Sequence, residues 1–223
     1  MSKMSGRRNL TAILSIMTIG AALSISVGQA VAGDDVTEDQ IVRALAPPAK
    51  KPLTRGLSVG PQAPQADPAA VAAEGRFVQT IRNRPTRSLS VGEREEIATI
   101  AKDKPNIDLE INFDYYSADI SAKSLPSVQA LGRALTNPDL KGSTFIVAGY
   151  TDAAGGEAYN QDLSERRADS IKRYLTDKFG IVGTDLVTVG YGKSKLKDPS
   201  QPLAEVNRRV QVVNMANKTT ASK

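Results

Sequence analysis

Between residues 106 and 213 the chain alternates short apolar runs at strand period with longer runs at helix period, which limits it to a mixed α/β domain. Ile107, Leu109, Ile111 and Phe113 alternate with Asp108, Glu110 and Asn112, the pattern of a half-buried strand. Ser124-Leu-Pro126 opens a helix with proline in its first turn, which runs to Leu135 and stops at Asn137-Pro138. A second strand is predicted over 143–150. A glycine-containing loop, 151–156, then leads into a long helix ending at Phe179-Gly180. Two further strands are expected at 186–191 and 209–213, separated by a loop rich in Pro, Gly and Lys. The order β-α-β-α-β-β over 106–215 reads as an α/β sandwich: one sheet covered by helices on a single side.

Upstream of this domain the sequence changes character. Lys3, Arg7 and Arg8 precede an uncharged apolar stretch, 10–27, and Ala30-Val31-Ala32 before Gly33 forms an A-x-A cleavage pattern. Residues 1–32 are therefore expected to be a signal peptide. The alternative is an uncleaved anchor, although 18 residues with several Ser, Thr and Gly make a poor span. Seven of the twelve prolines fall between 47 and 85, where large apolar residues are sparse. Residues 33–92 thus read as a flexible tether with one helical turn at 37–45. A short helix and connector follow at 93–105, with Ile97, Ile100 and Ala101 on one side, and 216–223 form a tail. The tether contains a repeat: Thr54-Arg-Gly-Leu-Ser-Val-Gly60 returns as Thr86-Arg-Ser-Leu-Ser-Val-Gly92. It is either a docking segment presented twice to an envelope protein partner, or a local duplication, or a pair of short strands that pack on the parent domain.

Chemistry is narrowed by what is missing. Neither cysteine nor histidine occurs among the 223 residues, which excludes thiol nucleophiles, disulfides, His-based triads and most transition-metal sites. No metal or cofactor is expected. Loss of residues 1–32 would leave 26 basic residues against 24 acidic, and no basic run is interleaved with aromatics, so nucleic acid is set aside.

One arginine stands in the wrong place. At about 100° per residue from Leu163, Tyr174, Ile171, Leu175 and Phe179 fall within one apolar arc. Glu165, Arg166, Asp169, Lys172, Arg173 and Asp177 fall on the opposite, solvated arc, whereas Arg167 lies at about 40°, among the apolar residues. Asn160 falls on the same side if the first turn reaches it. A guanidinium there needs a carboxylate, the protein's own or a ligand's. Asp152 sits just past the end of the second strand and faces the start of the long helix, where α/β sheets bind ligands. Together Asp152 and Arg167 could hold the ammonium and carboxylate of one zwitterionic centre. Asp152 could equally cap its own loop or pair directly with Arg167, and the residues leave both open.

Gly149-Tyr-Thr-Asp-Ala-Ala-Gly155, Asn160-Gln-Asp-Leu-Ser-Glu-Arg-Arg-Ala168, Val189-Gly-Tyr-Gly192 and Asn207-Arg-Arg-Val210, in that order, resemble the OmpA C-terminal, peptidoglycan-binding family. Ile111-Asn-Phe-Asp114 fits the same pattern. The resemblance implies non-covalent binding of the peptidoglycan stem peptide through its diaminopimelate, in the periplasm at the wall or outer membrane. By position, Asp152 would meet the ammonium and Arg167 the carboxylate, with Asn160, Leu163, Thr151, Phe113 and Asp114 lining the site. Two departures stand out: Tyr150 replaces a frequent His, and Gln211 replaces a frequent Glu after the Asn-Arg-Arg-Val run. Arg208 and Arg209 read as mostly structural. The segment before the domain is too short for an eight-stranded barrel.

The expected function is that of a binding module, not an enzyme. An anchored scaffold that retains 10–27 as a membrane helix, similar to flagellar-stator proteins, is the alternative; no acidic residue sits in that stretch to conduct protons. A wall hydrolase would need a carboxylate pair. Asp108 with Glu110, or Asp114 with Asp152, are the available pairs, and neither suggests a raised acid beside an ionised partner.

Overall fold

The computed structural model describes residues 36–47, 67–113 and 117–216. The signal-like residues 1–32, the first copy of the repeat and Asp114 lie outside the described residues. The elements are α1 (Glu38–Leu45), α2 (Pro68–Ile81), α3 (Val91–Ala101), β1 (Asn106–Leu109), α4 (Leu125–Thr136), β2 (Phe145–Gly149), α5 (Glu157–Phe179), β3 (Leu186–Gly190) and β4 (Val210–Asn214). They form one mixed sheet in the order β1-β4-β2-β3. β2 and β3 run parallel, with α5 as their crossover, and β4 is antiparallel to both β1 and β2. From β1 onward the element order is the β-α-β-α-β-β expected from the sequence.

The sheet is covered on both faces rather than one. On the first face Phe145, Val147, Val210 and Val212 meet Ala168, Ile171 and Leu175 of α5, Leu131 and Leu135 of α4, and Ile41 and Leu45 of α1. On the second, Ile146, Ala148, Val187, Val189 and Val213 meet Val78 and Ile81 of α2, Leu89, and Ile97 of α3. β2 and β3 bury every one of their residues. Strands with no polar alternation are those that need cover on both sides, and residues 67–101 supply the second layer.

The stretch expected as tether is therefore part of the fold wherever it is described. α1 starts with a capping box between Thr37 and Gln40 and buries Ile41 and Leu45 completely. Asn214 Nδ2 donates to the Leu45 carbonyl at 2.9 Å and ties the end of α1 to β4. α2 is capped by Asp67, with Pro68 in its first turn. Few large apolar residues are needed here, because the sheet presents the other half of the contact; each fully buried Ile or Leu contributes about 1.5–3 kcal/mol.

The second copy of the repeat packs on its own domain. Thr86 is buried, and its Oγ1 donates to Asp169 Oδ1 at 2.6 Å beside the Thr188 hydroxyl. Arg87 pairs with Asp162 at 3.0 Å, Leu89 enters the apolar cluster, and Ser90 caps α3 in a capping box with Glu93. This docking also revises the polar arc of α5. Glu165 is buried, accepts from Gln161 Nε2 at 2.6 Å and lies 3.6 Å from Arg94 of α3. Asp169 receives Thr86 and Thr188. The arc read as solvated is partly an interface, since a helical wheel places charges without knowing what upstream chain covers them.

Candidate functional site

The N-terminal half of α5 lies close over the ends of β2 and β3, which only glycine permits. A Cβ at Gly149 would strike the Ser164 backbone, and one at Gly190 would strike Ser164 and Glu165. This approach sets Asn160, Leu163 and Arg167, one helical turn apart, along the edge of a cleft of about 530 Å³. The opposite edge is the loop after β2. Thr151 is pinned by its backbone N–H to the Gly192 carbonyl at 2.9 Å, and its buried Oγ1 has no hydrogen-bond partner among the described residues. Asn160, also buried, donates to the carbonyls of Ala154 at 2.7 Å and Gly156 at 3.1 Å, which fixes the loop against the helix.

Asp152 and Arg167 both line this cleft but do not form an ion pair with each other. Asp152 Oδ1 accepts from the Ala154 N–H at 3.0 Å, as an Asx turn, and Oδ2 accepts from Arg208 Nη1 at 2.9 Å. Arg167 Nε donates to the Ser117 carbonyl at 3.3 Å, and its guanidinium carbon lies 4.7 Å from the centre of the Phe113 ring. Among the described residues no carboxylate lies within ion-pair distance of it. Burial pulls its pKa below the ordinary arginine value, partly opposed by Tyr159 and Asp152; the group remains a cation at neutral pH. Arg166, next in sequence, is paired with Asp162 at 2.7 Å on the outer side of the helix.

Six of the seven expected residues thus converge on one cleft: Asp152, Arg167, Asn160, Thr151, Leu163 and Phe113. Asp114 lies outside the described residues. The sequence reading missed Arg208, which lines the cleft and holds Asp152 in addition to any structural role. Strand period would have found it: positions 208, 210 and 212 share a face, and Val210 and Val212 pack under α5. Arg209, one residue on, lies on the other face over the Tyr150 ring at 3.8 Å. Tyr150 also points away from the cleft. It stacks on Tyr191 with ring centres 5.3 Å apart and donates to Gln211 Oε1 at 3.1 Å. Burial raises its hydroxyl to about 12, against the opposing pull of Arg209.

Residues 112–209 match the model of the OmpA family, in line with the resemblance carried by the motifs. Outer membrane porin F of Pseudomonas aeruginosa is 31% identical over 113 residues, 47% of this chain and 30% of that protein. Outer membrane protein A of Escherichia fergusonii is 38% identical over 85 residues, 38% of this chain and 35% of that protein. The chain therefore spans about a third of the length of the curated relatives it matches. Among solved structures, the peptidoglycan-associated lipoprotein of Burkholderia pseudomallei aligns over 48% of this chain and 88% of its own, at 25% identity and a TM-score of 0.39. Among the described residues no helix is long and apolar enough to cross a membrane.

Proposed function

We propose that the cleft binds peptidoglycan non-covalently in the cell envelope, by clamping the free amino-acid end of the diaminopimelate in a stem peptide. The observation that carries this reading is Arg167: a half-buried guanidinium over Phe113, with no carboxylate partner among the described residues. Its planar fork suits a ligand carboxylate, which it would meet with two parallel N–H donors. Asp152 has two acceptor positions left after Ala154 and Arg208, and takes the ammonium of the same centre. Phe113 and Leu163 give the ligand's methylene chain an apolar surface.

Among the described residues the cleft holds one carboxylate, Asp152, which pairs with Arg208, and Asp108 is paired with Lys197 at 2.8 Å on the opposite face of the sheet, so no carboxylate pair for acid–base hydrolysis is brought together among them. Charge-assisted hydrogen bonds of about 1.5–3 kcal/mol each give modest affinity per stem. A polymer with many stems makes repeated rebinding effective. The test is co-sedimentation with purified sacculi, with diaminopimelate as competitor. Wild-type protein is expected to pellet, free diaminopimelate to release it, and Arg167→Ala to remain in the supernatant. Pelleting of Arg167→Ala equal to wild type would overturn the assignment.

A further inference from the structure

The helix that edges the cleft is held from behind by chain upstream of the family-matched residues. Asn160, Leu163 and Arg167 form the cleft side of α5. Asp162, Glu165 and Asp169 each follow one of them by two residues, a rotation of about 200°, and so form a stripe on the opposite side. Residues 86–94 take all three: Arg87 pairs with Asp162 at 3.0 Å, Arg94 lies 3.6 Å from Glu165, and the Thr86 hydroxyl donates to Asp169 at 2.6 Å. Thr86, Arg87 and Arg94 all precede the matched residues 112–209.

Glu165 is the buried member of the stripe. Its side chain is 8% exposed, and among the described residues its one ion-pair partner is Arg94, 17% exposed. Glu165 Oε1 accepts from Gln161 Nε2 at 2.6 Å, and the same Nε2 donates to the Gly190 carbonyl at 2.8 Å. Two residues further on, the Gly192 N–H donates to Ser164 Oγ at 2.8 Å, and its carbonyl accepts from the Thr151 N–H at 2.9 Å. Thr151 lines the cleft, as does Asn160 beside Gln161. Arg94 is fixed in turn: its Nη1 donates to the Leu89 carbonyl at 2.7 Å, and its own carbonyl accepts from the Tyr191 hydroxyl at 3.0 Å. Without Arg94 the Glu165 carboxylate would be buried with no cation, which is strongly unfavourable, and turning it toward water takes it off Gln161.

We propose that Arg94 is a positioning residue for the cleft. By holding Glu165 it keeps Gln161 on the Gly190 carbonyl. That contact sets the first turns of α5 against the loop after β2, at the spacing Asp152 and Arg167 need to clamp one ligand. The inference rests on the peptidoglycan reading for what is bound. A site of this kind depends on such support, because a misplacement of about 1 Å between its groups is enough to weaken it. The segment 86–94 is therefore part of the binding unit as well as of the second layer.

The experiment follows variants of the full chain by sacculus co-sedimentation and by amide NMR spectra. Arg94→Met is expected to weaken binding about tenfold, the worth of one lost hydrogen bond to a charged group, and to shift the amides of Thr151, Asn160 and Gly192. Adding Glu165→Gln to it removes the unpaired charge while leaving an amide oxygen that accepts from Gln161, so binding and those amides are expected to return toward wild type. Gln161→Leu cuts the link with Arg94 and Glu165 still paired, and is expected to lose as much as Arg94→Met; it tests the proposal independently if that variant folds poorly. Arg84→Met breaks the pair with Glu93 in the same layer, away from α5, and is expected to bind as wild type does. Wild-type binding by Arg94→Met or Gln161→Leu, no recovery in the double variant, or an equal loss in Arg84→Met would each overturn the proposal. If wild type itself stays in the supernatant, the peptidoglycan reading fails and the amides decide alone: shifts confined to α3 and Glu165 would overturn the positioning role.

Discussion

Arg208 Nη1 and Asp152 Oδ2 are 2.9 Å apart, joining the chain two residues before β4 to the loop after β2 in the lining of the cleft. With the Ala154 N–H on Oδ1, the pair fixes the orientation of Asp152 at the cleft it lines. Arg208 is thus a positioning residue for the ligand's ammonium. Arg208→Ala is expected to weaken sacculus binding by about 1–2 kcal/mol, roughly five- to thirtyfold, with Arg208→Lys recovering part of it. Binding isotherms on sacculi check this, and the unfolding midpoint in urea distinguishes lost positioning from lost stability. A variant with unchanged affinity would show that Asp152 is held well enough by Ala154 alone.

Arg166 and Arg167 make a sharper contrast. Arg166→Ala removes an exposed i,i+4 pair with Asp162, worth at most about 0.5 kcal/mol, and is expected to leave both stability and wall binding intact. Arg167→Ala is expected to reduce binding by at least about tenfold, because a charge-assisted contact with the ligand is lost. Phe113→Ala is expected to fall between them, since it removes the ring beneath the guanidinium at 4.7 Å. Side-by-side co-sedimentation of the three variants orders them. The reverse order for the two arginines would overturn the helical-wheel assignment.

That contrast was legible in the sequence because it depends only on helix period: one residue rotates a side chain by about 100°. The element order β-α-β-α-β-β was legible for the same local reason. Two things were not. The polar arc of α5 hides Glu165 and Asp169 beneath Arg94 and Thr86, contacts that span more than 70 residues of chain. The docking of α2 and α3 depends on Val78, Ile81, Leu89 and Ile97 finding a sheet face whose own strands lack polar alternation. The unbroken apolar character of β2 and β3 held that information, and the proline content upstream masked it. Arg208 reads as structural in the sequence although strand period separates it from Arg209, since its partner Asp152 is 56 residues away and only the folded chain brings the two within 2.9 Å.

The second layer is testable as a stability element. Leu89 is 4% exposed and stands between Thr86, bonded to Asp169, and Ser90, the cap of α3. Leu89→Ala is expected to destabilise the domain by about 2–4 kcal/mol, as for other large-to-small changes in a core. The equivalent change in the first copy of the repeat, Leu57→Ala, provides the matched comparison. Urea unfolding followed by circular dichroism measures both. A Leu89→Ala midpoint equal to wild type would mean that residues 67–101 contribute little to the fold.

Acid should loosen the same layer through Glu93. Its carboxylate accepts from the Ser90 N–H at 2.8 Å, pairs with Arg84, and is held at about 2 rather than 4.5 by those contacts, the Ser90 backbone first. A carboxylate whose pKa is lower in the folded protein stabilises the fold above its unfolded value and ceases to do so as pH falls through its folded value. The capping box of α3 is therefore expected to weaken between about pH 4.5 and pH 2 and to be unaffected at neutral pH. Glu93→Gln keeps the reach of the side chain and removes its titration. Over that interval wild type should lose more of its urea resistance than Glu93→Gln does, and the amide of Ser90 should move in its NMR spectrum with the same midpoint. Parallel losses in the two proteins would assign the acid sensitivity to other carboxylates, leaving the cap of α3 to the Ser90 hydroxyl alone.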